Sequence, residues 1–178
     1  MENRDYIVEC LTPSLDNLHG SLIEVFTYWS EIRDNPIGPM WKNFDWLRMP
    51  RSAIPMSSVV DVQYDPLDFK YRFWGTGRTR LQGGDYTGKS IMAFDPQAIA
   101  EKAFRENKMV VDDGHGLLFN TTILKNRGSE AFEYQLIRLP FSNDGSRIDK
   151  ILGVGSYDDD SFQMASRYYR TSTRISPF

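Results

Sequence analysis

Residues 57–90, SSVVDVQYDPLDFKYRFWGTGRTRLQGGDYTGKS, constrain the fold more than any other stretch. Val60, Val62 and Tyr64 alternate with Asp61 and Gln63, the period-two pattern of a half-buried strand. Asp65-Pro66-Leu67-Asp68 carries turn chemistry, with Asp favoured first and Pro presetting the backbone angle second. Phe69, Tyr71 and Phe73 then alternate with Lys70, Arg72 and Trp74. The two runs predict an antiparallel hairpin over 57–64 and 69–74. Gly75-Thr76-Gly77 breaks the second strand, and 78–82 has room for about one to two helical turns. Gly83-Gly84-Asp85 stops them, because glycine accepts the left-handed angles of a helix end.

The rest of the chain alternates between the same two periods. Thr12-Pro13 reads as a cap and first turn, and Leu18, Leu22, Val25, Phe26, Trp29 and Ile32 form one helical stripe after it. Asp34-Asn35-Pro36 stops that helix. The stripe packs on a sheet or in part pairs with a second copy. Trp41, Phe44 and Leu47 predict a second short helix ended by Pro50. Asp95-Pro96 starts another, running to about residue 107 with Ile99, Ala100, Ala103 and Phe104 on its buried side. Three strands follow, at 117–123, 132–139 and 148–157, with connections at Asn126-Arg127-Gly128 and Asn143-Asp144-Gly145-Ser146. Ile137 and Leu139 make both faces of the middle strand apolar, and Gly153 and Gly155 leave room for a close neighbour. Residues 162–178 form a last helix or a loose tail, mobile from 172 on.

A resemblance rests on Ile54-Pro55, Val60-Asp61-Val62, Asp65-Pro66, Tyr71-Arg72-Phe73, Gly75-Thr76 and Gly84-Asp85-Tyr86-Thr87-Gly88. Together with Tyr28-Trp29-Ser30-Glu31-Ile32-Arg33, these resemble a bacterial, mainly alphaproteobacterial, family of single-domain PAS-like proteins. The pattern covers roughly residues 22–157 and departs from the family at 41–46. The resemblance implies an α+β fold: a five-stranded antiparallel sheet with helices on one face and an N-terminal helical extension. The domain plan is then an arm at 1–17, a PAS-like domain at 18–160, and a C-terminal helix or tail at 161–178. The resemblance implies a sensor and no reaction.

Composition narrows the partners. With 40% hydrophobic and 25% charged residues in 178, one domain with a real core is expected. The net charge of −3 and the lack of a Lys/Arg cluster argue against nucleic acid. Cys10 is alone, so no intrachain disulfide forms and a reducing compartment fits. The N-terminal segment lacks an apolar signal core, and no apolar run reaches the roughly 20 residues of a membrane helix. A cytoplasmic homodimer is expected.

Candidate chemistry is thin. Gly75-x-Gly77-x-x-Arg80 lacks the third glycine of a dinucleotide fingerprint and is no P-loop. Asp112, Asp113 and His115 are the nearest approach to an acid/base or metal cluster, but lack a fourth ligand. They read as a solvated turn, and no catalytic residue, metal or cofactor is expected. Arg72, Trp74, Arg78, Tyr134 and Arg138 form the better constellation, as ligand-binding residues around a pocket between the sheet and 75–88. Arginine suits a carboxylate or phosphate through its planar fork. A small anionic or aromatic ligand is expected, with Arg78 exposed enough that its loss costs little stability. For each residue a plainer reading stands beside this one: Arg72 and Arg138 paired with acids at the surface, Trp74 and Tyr134 as core. Three functions remain: a sensory or regulatory domain acting on a ligand or protein partner and signalling through another chain, a small α+β enzyme of hydratase or isomerase type, and a ligand-free adaptor.

Overall fold

A computed structural model describes residues 2–3, 6–124 and 132–172. Its frame is an antiparallel sheet. The strands are β1 (Glu2–Asn3), β2 (Tyr6–Leu11), β3 (Ser57–Gln63), β4 (Asp68–Trp74), β5 (Leu117–Ile123), β6 (Phe132–Phe141) and β7 (Lys150–Ser156), in the order β1-β2-β5-β6-β7-β3-β4. The expected hairpin is present: Val62 faces Phe69 and Ser58 faces Trp74, with a register shift between Val59 and Val60. β3 also pairs with β7, Ser57 against Val154, which joins the hairpin to the rest of the sheet.

The sheet is larger than five strands because the segment read as an arm is part of it. Tyr6 pairs with Ile123 and Leu11 with Leu118, so β2 extends the sheet beyond β5, and the two-residue β1 extends it once more. Tyr6 and Val8 point into the core while Ile7 and Glu9 face out.

Helices cover both faces. α1 (Ser21–Glu31) lays Leu22, Val25 and Trp29 against Val59, Ile137, Leu139 and Val154. The whole stripe is therefore used for packing within the chain, and Trp29 Nε1 donates to the Pro140 carbonyl at 2.9 Å. The helix starts later than Thr12-Pro13 implied. Asn17 accepts from the Ser14 N–H at 2.8 Å and donates to the Thr12 carbonyl at 3.0 Å, a local turn that competes with a helix start. Residues 41–49 are two 3-10 turns, Trp41–Asn43 and Trp46–Arg48, rather than one helix. Trp41 and Phe44 pack on Phe141, whereas Leu47 is 94% exposed.

The opposite face carries α2 (Thr76–Gln82), α3 (Gln97–Asp113) and α4 (Asp159–Ser172). α2 begins against the 3-10 turn Ile54–Met56, where a Cβ on Gly75 would meet the Pro55 carbonyl oxygen at 2.3 Å. Gly77 has the Met56 sulfur at 2.8 Å in the same way. The glycines there serve close contact with Pro55 and Met56 at the point where they were expected to break the strand. Gly83, with φ of 82°, ends α2 as expected. α3 runs six residues past the expected end, to a left-handed Gly114. The connection at 126–128 and the tail at 173–178 lie outside the described residues.

Candidate ligand-binding site

The even-numbered residues of β6 point toward α3 and α4, and this puts Tyr134, Leu136 and Arg138 on one side of the sheet. Arg138 stands opposite Gly153 of β7. A Cβ there would sit 3.2 Å from the Arg138 guanidinium, so the glycine is the space the arginine occupies. The guanidinium crosses to α3. Its Nη2 and Nε donate to Glu106 Oε2 at 2.7 and 3.2 Å, and Nη1 to Asn107 Oδ1 at 3.3 Å. Glu106 also accepts from Lys102 Nζ one turn earlier. All three charged side chains are buried, Glu106 to 2% exposure. Burial opposes the charged form of Glu106, but Lys102 and Arg138 beside it outweigh burial and hold its carboxyl below the usual range.

Arg78 completes the lining from α2. It is 9% exposed, and its guanidinium lies 4.6 Å over the Trp74 ring. One nitrogen reaches the Met56 carbonyl at a long 3.5 Å. Among the described residues, Arg78 Nε and Gln82 Oε1, one turn along the same helix, have no hydrogen-bond partner. An arginine this deep with so few partners is costly to bury. The expectation of an exposed Arg78 therefore fails, since the C-terminal helix packs over α2.

α4 closes the site with Tyr168 and Tyr169, next to Tyr134 and Tyr157. Tyr134 and Tyr157 stack at 4.7 Å. Burial is the main cause that pushes the Tyr134 hydroxyl up to about 12 and raises those of Tyr157 and Tyr169. The tyrosines are neutral at pH 7 and offset none of the positive charge. The cavity measures about 70 Å³ and lies under α2, α3 and α4. Its lining holds Arg78, Lys102 and Arg138 against the single carboxylate of Glu106.

Of the five residues singled out in the sequence, Arg78, Tyr134 and Arg138 meet at this cavity. Trp74 stands behind Arg78, its edges packed on Tyr71 and Tyr86. Arg72 lies apart, exposed and paired with Asp61 at 2.8 Å. Arg138 is paired with an acid as the plainer reading held, but inside the protein. The sequence reading missed Lys102, Glu106 and Asn107, which occupy the buried stripe of α3 where apolar residues were sought. The Lys102/Glu106 spacing of four was the available signal. Asp112, Asp113 and His115 end α3 at the surface and do not point inward. No group of three or more His, Cys, Asp or Glu side chains able to hold a metal occurs among the described residues.

A second, wider groove of about 800 Å³ runs along the other side of β2, β5 and β6, lined by Glu9, Glu133, Gln135 and His19. Gln135 is committed there to the Asn17 carbonyl and the His19 N–H.

A family model described as PAS domain matches residues 17–156. The match ends at the last residue of β7, so β1, β2 and α4 lie outside it. No curated protein matches the chain. A solved structure of an RNA-binding light-oxygen-voltage receptor is similar at a TM-score of 0.40 and 15% identity. The likeness covers 95% of this chain, which spans 41% of the length of that one.

Proposed function

The chain belongs to the PAS-domain family, and on that premise we propose that it is a sensory or regulatory domain whose cavity takes a small ligand. Occupancy biases α4, and another chain reads α4. The observation that carries this is the polar lining beneath α4, with Arg78 and Gln82 left partly unsatisfied inside a protein. Buried polar groups are nearly always hydrogen-bonded, so groups that are not point to a partner outside the chain. The position of α4 favours it as the output, since it covers the cavity and follows directly on the matched domain. The reading also takes the protein to be a bacterial cytoplasmic one, where Cys10 stays reduced, working as a homodimer or with a protein partner and catalysing no reaction.

A cavity of 70 Å³ favours a second reading, the ligand-free adaptor. Sites for drug-sized ligands measure roughly 300–1,000 Å³. Native mass spectrometry of gently purified protein, beside Ala103→Leu, separates the two. Ala103 lines the cavity, and leucine there fills it. The sensor reading expects a small molecule on the wild type that is absent from the folded variant, with altered amide exchange in α4. No bound molecule on either, with α4 exchange the same in both, would leave the adaptor.

A further inference from the structure

We infer that the cavity is selective for a small monoanion, a short-chain carboxylate whose head group lies between Arg78 and Gln82 of α2. The inference rests on the sensor reading and adds the chemistry of the ligand. The first reason is charge. Three cations and one carboxylate line the cavity, and the neighbouring tyrosines are neutral. Glu106 is shared between Lys102 and Arg138, and Arg138 spends its three nitrogens on Glu106 and Asn107. Among the described residues no carboxylate pairs with Arg78. Its face is on Trp74, one nitrogen is weakly held, and Nε is unpaired. A carboxylate is the group that a planar guanidinium fork binds with two parallel hydrogen bonds.

The second reason is the partner on the next turn. Gln82 faces the same cavity, and its side-chain amide is also unsatisfied at Oε1. The oxygen and nitrogen of an amide are assigned from hydrogen bonding, so with a ligand present the amide nitrogen can turn toward the anion. Arg78 and Gln82 then hold one carboxylate from a single helix face, four residues apart.

The third reason is size and the apolar lining. At 70 Å³ the cavity has about two water volumes, which restricts the ligand to a few heavy atoms. Ile99, Ala103 and Leu136 line the cavity between the charged residues of α3 and β6, a surface for a short aliphatic tail. Glu106 is the element of exclusion, since a dianion would bring a second negative charge toward a buried carboxylate.

The test uses the full chain, with sodium propionate and its neutral isostere propionamide at matched ionic strength. Binding is read by calorimetry and by the Arg78 Nε–H proton resonance. Propionate should bind saturably and shift that resonance, and propionamide should bind at least tenfold more weakly. Arg78→Gln should raise the propionate Kd at least tenfold, Arg78→Lys less, and Arg72→Gln not at all. The comparison of the two ligands on wild type holds even if an Arg78 variant fails to fold. Equal binding of propionamide, or a Kd unchanged in folded Arg78→Gln, overturns the anion inference and leaves the sensor reading standing. Binding of neither ligand, together with a native spectrum free of any bound molecule, overturns both. Binding of neither beside a bound molecule that is uncharged or cationic overturns the anion inference alone.

Discussion

Glu106→Gln separates the buried ion cluster from the surface pairs more sharply than any other change. The side chain keeps its shape and loses its charge. Lys102 and Arg138, with side chains 9% and 5% exposed, are then left without a counter-ion in the interior. Removing one partner of a buried pair costs about 3–5 kcal/mol, mostly from the charge left behind. For a chain of this length each kcal/mol shifts Tm by about 2–4 °C, so a fall of about 6–20 °C is expected. The matched control is Arg72→Gln. Arg72 is half exposed, and Asp61 keeps Lys150 at 3.1 Å, so about 0–1 kcal/mol is expected there. Urea unfolding followed by circular dichroism measures both. The pH dependence gives a second reading of the same group. Its folded pKa lies below the ordinary 4.5, so the unfolded chain binds the proton more readily as pH falls. The stability that Glu106 contributes is therefore full above about 4.5 and is lost as pH drops through the folded value. The gap between wild type and Glu106→Gln should narrow in that window. A loss under about 1 kcal/mol at pH 7, or a gap indifferent to acid, refutes the buried charged cluster.

Gly75→Ala forces a Cβ to within 2.3 Å of the Pro55 carbonyl oxygen, and should cost about 1–3 kcal/mol in urea unfolding, since backbone cannot move as a side chain can; an unchanged midpoint would refute the close contact. Leu47→Ser should leave stability within about 0.5 kcal/mol because Leu47 touches little, and a larger loss would mean that a second copy covers it in solution. Asp112, Asp113 and His115 replaced together by Ala should cost about 0.3–0.5 kcal/mol for the exposed pair with Lys108 and leave the propionate Kd unaltered. Lost binding in the folded triple variant would move the chemistry from the cavity to that turn and revive the enzyme reading.

Element types were legible in the sequence wherever a short-range period decided them. The hairpin of β3 and β4, the three later strands and the stop at Gly83 follow from alternation, turn residues and backbone angles, all of which act over a few residues. Gly153 announced a close neighbour and Gly75 and Gly77 a break in the strand, but the sequence did not say what any of them would meet. The identities of those neighbours, Pro55, Met56 and Arg138, come from chain brought in from 20 residues away or from the next strand. Tyr6–Leu11 has strand-forming residues, yet its partner β5 begins more than 100 residues later, and no local pattern encodes such pairing. The candidate site shows the same division. Arginines beside a strand-to-helix bend suggested an anion pocket. Only packing decided that Arg72 stays in water while Arg78 and Arg138 do not, and that Lys102 and Glu106 take helix positions apolar residues usually fill. A charge is tolerated inside only where a partner from another element meets it, and such meetings are set by the tertiary fold.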